Sequence, residues 1–585
     1  MTRSRWVRAT AVLFALGLAA AACGGDDTGF VPAIIEDTSV DEADTPGDDT
    51  DELADAGADA SESTADPGAD ETDEAEDDGP ADLGQVTIGA AANCASDLPP
   101  LERGAFAPNG DFSYAISIAL NSLNPHDDQT PATFAYYSWI YEGLVRQETD
   151  GSVVPWLARC WETSDDGSEV TFYLHEGVTF HDGTPFNAEA VAANVQFVKT
   201  AGPPQVIPPV AGQLGIVDTV EAIDEHTVRF NLTGPGEILL LSGLIRNSGL
   251  MVSPAVLGDA AASPIGTGPY MWASSNPDFT QNDLVAYPDY WQPGLVGLET
   301  VRLEAAIDQV ARLDSFNAGQ YDVAVVRLND LDLLRTGDIS RNSTVRIGFV
   351  VADWTGEQIP QLANREVRCA MAHALNRAGI VAQLNDPEAA NNQFATGPSD
   401  YAYIDDLDVP DFNMASARER FDATGEEVFT FTNGHLPGGF WPTVSSAWGT
   451  ALAELGITMQ NEALDPPTGG EMFGRLARGV HPVQIIPFNE PNALMSLVAR
   501  TGTAAFNPSG ASPEGVVDLV AAARAKNFAD GEADVAAAWK ILLEECIFIV
   551  NNTLTTVVAY QDDISGVHHT RGLPIHFWPH GVTKS

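Results

Sequence analysis

The chain has 585 residues, 83 of them acidic and 28 basic, for a formal charge of −55. A surface this acidic repels nucleic acid and anionic lipid head groups, which excludes a nucleic-acid role. The length exceeds what one hydrophobic core serves, and the apolar fraction of 44% is ordinary for globular protein. Strong acidity also fits a salty habitat or a lineage habit.

Arg3, Arg5 and Arg8 precede a short apolar run over residues 9–22, the pattern of a secretory signal rather than a membrane span. The run ends in Leu18-Ala-Ala-Ala-Ala-Cys23-Gly24 and resembles a bacterial lipobox, with Ala20 where Leu is usual. The resemblance implies that Cys23 is acylated and becomes the new N-terminus; ordinary signal cleavage with a stray thiol is the alternative. Residues 24–83 hold 23 Asp or Glu and no Lys or Arg. Such a segment cannot bury enough surface to offset chain entropy, so a disordered linker is expected. As a neutral coil it would span ~45 Å. It serves either as a spacer off the membrane or as a solubilising tail.

Residues 112–118 read as a strand and 119–126 as the loop after it. Residues 131–144 are predicted helical, with Phe134, Tyr137, Trp139 and Tyr141 as an aromatic face of core type. Thr149-Asp150-Gly151 and Ser164-Asp165-Asp166-Gly167 are turn signals. Residues 170–174 follow as a strand, His181-Asp182-Gly183-Thr184-Pro185 as a turn, and Asn187 as the cap of a helix facing inward through Val191, Val195 and Val198. A hairpin is expected over 214–220 and 227–232. Pro264-Ile265-Gly266-Thr267-Gly268-Pro269-Tyr270 is a tight turn feeding a strand, not a dinucleotide fingerprint. Strands at 301–303 and 321–326 flank a helix at 307–318. Helices at 365–380, 447–455 and 534–545 and strands at 428–432, 457–459 and 546–560 complete an alternating α/β pattern.

Catalytic spacings are missing: there is no GxSxG elbow, P-loop or HExxH. His568-His569 lacks further ligands for a metal, and His181-Asp182 is better explained as a turn than as a dyad. No metal, no cofactor and no enzyme activity are expected.

Three ordered blocks carry a family resemblance. They are Tyr141-Glu142-Gly143-Leu144-Val145 with Pro155 to Trp161 and Gly177-Val178-Thr179-Phe180-His181-Asp182-Gly183-Thr184-Pro185-Phe186; then the 264–270 turn; then Asp289-Tyr290-Trp291. They resemble the family 5 extracellular solute-binding proteins, the dipeptide- and oligopeptide-binding components of ABC importers, over about residues 112–560. The resemblance implies a two-lobed, type II periplasmic-binding-protein-like α/β fold with a hinge and an interlobe ligand cleft. The expected division is 1–22 signal, 23–83 lipid-anchored acidic linker, 84–340 lobe I, 341–548 lobe II and 549–585 a C-terminal return to lobe I. Cys94, Cys160, Cys369 and Cys546 allow three pairings; Cys94–Cys160 and Cys369–Cys546 would keep each bridge within one expected lobe, and reduced buried thiols are the alternative.

In dipeptide-binding relatives an Asp holds the peptide amine and an Arg its carboxylate. The segments resembling those sites are 485–491 and 433–441, and neither anchor is present: Pro487 stands at the Asp position, or Asn489 or Glu490 with a small slip, and His435 is the one cation-capable side chain in the second. Buried charges must be paired, so a pocket without anchors should disfavour zwitterionic dipeptides. The ligand-facing candidates are Asn124, Trp354, Asn433, His435, Phe440, Trp441, Phe488, Asn489 and Asn507, the aromatics being either walls or core. The expected protein is a monomeric lipoprotein on the outer face of the cytoplasmic membrane. It binds a small solute or oligopeptide and delivers it to an ABC permease and its ATPase. The alternatives are a cell-surface sensor or interaction protein on the same fold, which adjacent permease genes would discriminate, and an importer component for a non-peptide solute.

Overall fold

The computed structural model describes Cys94 and residues 104–585, apart from 121, 129, 150, 385–392, 394–400, 409, 438–439, 466–468, 489–492, 502–506, 571–572 and 574. The signal segment, Cys23, the acidic linker and Asn489 therefore lie outside the described residues.

The amino-terminal part opens with β1 (Asp111–Ile116) and a small hairpin, β2 (Val145–Gln147) and β3 (Val153–Pro155). Then come β4 (Ala158–Thr163), β5 (Glu169–Leu174), β6 (Val217–Asp224) and β7 (Thr227–Leu232), an antiparallel sheet in the order β4-β5-β7-β6. β5 and β7 alternate buried and half-buried side chains, the period-two pattern of a sheet with one face on a core. The helix Ala188–Thr200 packs there, with the Asn187 side chain accepting from the Ala190 N–H as its cap. Next follow β8 (Tyr270–Ser275), β9 (Gln281–Ala286), β10 (Thr300–Ala305) and β11 (Val323–Val326), with β10 and β11 parallel to β1 on either side of it.

The chain then runs into β12 (Asp338–Val350), β13 (Thr430–His435), β14 (Thr458–Ala463), β15 (Val483–Phe488) and β16 (Phe548–Tyr560). These complete a ten-stranded sheet, β14-β13-β15-β12-β16-β11-β1-β10-β9-β8. Thirteen-residue β12 and β16 pair antiparallel along their lengths and belong to both halves. β16 pairs with β11 at one end, through Val557–Tyr560, and β12 pairs with β15 at the other, through Arg346–Val350. The β12–β16 register breaks between Asn342 and Val345, between the two halves. The fold is thus α/β and two-lobed, with a pair of crossing strands as the hinge. After β16 the chain returns to the first half, where β17 (Ile564–Ser565) pairs with β18 (Thr583–Lys584) and Lys584 Nζ meets Asp322 at 2.6 Å.

Two sequence expectations need correction. The helix expected over 131–144 is a 3-10 turn and one α turn ending at Tyr137. The carbonyls of Trp139 and Ile140 are taken by the Tyr270 and Gly268 N–H groups, so tertiary pairing displaces the helix ladder. Trp139 and Tyr141 are fully buried, as core. The helix expected over 365–380 is two helices, Arg365–His373 and Arg377–Leu384, and Asn376 caps the second by accepting from the Gly379 N–H.

The same contact explains the Gly266-x-Gly268 pattern. A Cβ on Gly266 would sit 2.1 Å from the Ile140 carbonyl oxygen, and one on Gly268 2.7 Å from it. Backbone cannot yield as a flexible side chain does, so Gly266→Ala is expected to cost about 3 kcal/mol. Thermal unfolding of the variant beside the parent checks this.

Candidate ligand cleft

The strand directions locate a cleft. β11 runs toward the register break and ends at Val326, level with Val557 and Arg341. β15 runs toward it from the other side and ends at Phe488, level with Arg346. β1 and β10 run with β11, and β13 and β14 run with β15. The carboxyl ends of six strands therefore face each other across the crossing strands. Along β16 the two rims, level with Val557 and Thr553, lie four residue steps apart, about 13 Å. In open α/β sheets, ligands bind outside the carboxyl ends of the strands.

On the first rim the loop after β1 is fastened by Asn124, buried, whose Nδ2 donates to the Gln205 carbonyl at 2.8 Å and whose Oδ1 accepts from the His126 N–H. The same loop carries Asp127, which the sequence reading did not single out. Burial pushes its carboxyl up to about 7, against the Ser122 hydroxyl donating at 2.7 Å. The Asp127-Asp128 pair after Asn-Pro-His was its visible signal. After β11, Arg327 binds Asp330 through two hydrogen bonds, 2.7 and 3.0 Å, around Asn329.

On the second rim, His435 ends β13, buried, with Nδ1 2.7 Å from the Leu436 carbonyl oxygen. Phe440 and Trp441 follow at the start of the helix Trp441–Glu454, rings 4.4 Å apart. Phe488 ends β15 and places its backbone on the same rim. Asn433 is fully buried: its amide donates to Ser445 and Asn461 and its oxygen accepts from the Ile485 N–H at 2.9 Å, holding β13 to its neighbours.

Trp354 and Asn507 come together elsewhere. Val350 pairs with Gln484 and Phe548, at the end of the second lobe's strands away from the break, and Trp354 lies beyond it. A pocket there is lined by Val350, Trp354, Arg500, Asn507 and Phe548. The Asn507 side chain is spent on the Ala511 carbonyl and the Ser509 hydroxyl. The structure thus brings His435, Phe440, Trp441 and the Phe488 backbone to one rim, puts Asn124 on the other, and puts Trp354 and Asn507 at the far end.

The family-like blocks converge in a buried network. Glu142, fully buried, accepts from Trp156 Nε1 at 2.7 Å, the Tyr290 hydroxyl at 2.6 Å and Trp291 Nε1 at 3.1 Å, and lies 3.3 Å from His580 Nε2. Burial pushes its carboxyl up, but the contact with His580 and the Tyr290 and Trp156 donors outweigh this and hold it below the usual range. His181 binds the Gly268 carbonyl and Asp182 the Thr184 N–H and the Ser253 hydroxyl, which makes them turn residues. Cys94 is bonded to Cys160 and Cys369 to Cys546. Among the described residues no cluster of three or more His, Cys, Asp or Glu is placed to hold a metal, and no helix is long and apolar enough to cross a membrane.

Two lobes joined by a pair of strands, with facing carboxyl-end rims, define a hinged solute-binding protein. The family model of the bacterial extracellular solute-binding proteins, family 5, matches residues 152–476, and the chain belongs to that family. Its members are extracytoplasmic solute-binding components of ABC importers, not enzymes. The chain is 25% identical over 383 residues to the glutathione-binding protein GsiB of Pectobacterium atrosepticum, covering 61% of this chain and 69% of that one. Its fold is similar to the periplasmic binding protein AgaA of A. tumefaciens R10 in complex with agropinic acid, with a TM-score of 0.72 and 20% identity over 81% of this chain and 99% of that one. It is also similar to DppA of Helicobacter pylori in complex with the peptide STSA, with a TM-score of 0.71 and 20% identity over 81% and 98%.

Proposed function

We propose that the protein is the lipid-anchored capture component of an ABC importer, acting as a monomer, and that its solute is an oligopeptide gripped through backbone groups. In this reading residues 84–340 and 549–585 make lobe I and 341–548 lobe II. Cys23 carries the lipid, the acidic linker holds the lobes off the membrane, and a permease with its ATPase receives the peptide. The observation that carries the peptide reading is the composition of the second rim. Pro487 and Phe488 end β15, and His435, Phe440 and Trp441 follow β13. Among the described residues that follow β13 and end β15, aromatic side chains with no Asp or Arg suit chains of varied sequence, whose amides supply the common chemistry, better than one zwitterionic dipeptide. GsiB, named for glutathione, and DppA, solved with a tetrapeptide, support a short peptide as the solute class.

The test is release of small molecules from the full chain purified from its own host, read by mass spectrometry. A set of peptides of mixed sequence is expected; a single non-peptide mass overturns the peptide reading. For the anchor, Cys23→Ala is expected to move the protein from the membrane fraction to the soluble fraction, and continued membrane retention would sink the lipoprotein reading.

A further inference from the structure

The hinge strands are not the sole link between the lobes. The short turn after β7, with the helix Gly236–Ile238, reaches the second lobe where the helices Val516–Arg524 and Phe528–Glu544 meet. The Glu237 carboxylate accepts a hydrogen bond from the Phe528 N–H at 2.9 Å. The turn is packed closely there: a Cβ on Gly234 would stand 2.9 Å from the Arg524 carbonyl oxygen. On the second lobe the receiving helix end is firmly held. Asn527 caps it by accepting from the Asp530 N–H at 2.8 Å. The Tyr401 ring stacks on Phe528 with centroids 3.9 Å apart, and its hydroxyl donates to the Phe528 carbonyl at 3.0 Å. A second bridge comes from the cleft rim, where Asn329 Nδ2 donates to the Gln383 carbonyl at 3.2 Å.

We propose that Glu237 and the amino end of the helix Phe528–Glu544 form an interlobe latch that holds the cleft closed, with Asn329 as a weaker second clasp. The first N–H groups of a helix have no partner within it, and the helix dipole there favours a negative charge. Glu237 supplies a charged acceptor to one of those groups in the closed state. When the lobes swing apart about the β12–β16 break, both partners return to water. The interaction is therefore made in one conformational state and not in the other, which is the condition for a residue to shift an equilibrium between them. Phe528 and Glu237 belong to different lobes and to neither cleft rim, so the latch acts on closure without touching the solute. It governs how long any captured solute is retained before the permease receives it. This inference rests on the two-lobed binding fold and not on the peptide reading.

The test uses the full chain with its disulfides formed and spin labels on introduced cysteines, Ile223→Cys in the first lobe and Val517→Cys in the second. Both sites are well exposed, at 46% and 55%. Pulsed dipolar spectroscopy then reads the interlobe distance distribution without requiring an identified solute. Glu237→Ala is expected to lower the closed-to-open ratio roughly five-fold, and Asn329→Ala by less. Gly234→Ala, which drives a methyl into the Arg524 carbonyl, is expected to open the lobes by an independent route and keeps the test decisive if Glu237→Ala folds poorly. Distance distributions unchanged in the folded variants overturn the latch, while the mass-spectrometric result on the solute stands or falls separately.

Discussion

Replacing Cys369 and Cys546 by Ala is expected to destabilise the second lobe by about 5 kcal/mol. The bridge closes a loop with a sequence separation of 177, which takes in nearly the whole of that lobe. Most of its effect lies in the unfolded chain, whose freedom it restricts in proportion to the logarithm of loop length. The native seam has its own fastening. Arg368, buried, donates to the Glu545 carbonyl at 3.0 Å, to the Glu545 carboxylate at 3.1 Å and to the Leu362 carbonyl at 2.9 Å. The folded geometry should therefore survive in the variant while its free energy of unfolding falls. The Cys94–Cys160 bridge, with a separation of 66, should contribute about 1 kcal/mol less on the same argument. Denaturant titrations of the two double variants beside the parent decide it. Equal midpoints for Cys369→Ala/Cys546→Ala and the parent would refute the entropic account.

The sequence was most legible where local chemistry and tertiary role agree. Asn187 caps its helix because an Asn before an apolar period is a local signal with a local consequence. The family-like blocks were legible too, but their purpose was not. Glu142, Trp156, Tyr290 and Trp291 lie far apart in sequence and meet in one buried network, which no spacing rule reveals. The hinge strand β12 escaped notice because its sequence, DISRNSTVRIGFV, is polar in its first half and apolar in its second. A strand that passes from one lobe to the other with a register break does not keep one face on one core, so its period is lost. The candidate site was only partly readable for a different reason. Asn124, Asn433 and Asn507 all stand in segments like those of the family's cleft, yet each side chain is spent fastening a loop or strand. Asn is favoured for such fastening, and sequence does not distinguish it from an Asn that faces solute.

The solute-binding reading and the latch make the same demand on the molecule: two stiff lobes that move as units. In the first lobe that stiffness depends on several histidines kept neutral in the interior, and this makes its stability sensitive to mild acid. Burial lowers His126 and His181 to about 4 and His569 to about 3, and drives His576 well below its ordinary value. Burial lowers His580 as well, against the pull of Glu142. His126, His181, His569 and His576 take up a proton in the unfolded chain near pH 6.5 and not in the folded one. The stability they contribute is complete above that value and is lost as pH falls toward 4. Between pH 7 and pH 5, His126, His181 and His569 each cost about 2 kcal/mol.

Asp127 opposes them. Its folded pKa of about 7 is raised, so the folded state binds the proton first and stability is gained over the same interval, by about 2 kcal/mol. The histidines outnumber it, and a net loss of about 4 kcal/mol is expected between pH 7 and pH 5. The overall charge of −55 acts in the other direction, since acid relieves repulsion, so the comparison belongs in about 0.5 M salt, where that repulsion is screened. Urea midpoints measured at the two pH values give the net effect, and His569→Gln, which removes one titrating group, should flatten the pH dependence by about one proton. A midpoint that stays constant or rises toward pH 5 under those conditions would mean that the buried histidines do not control the lobe's stability.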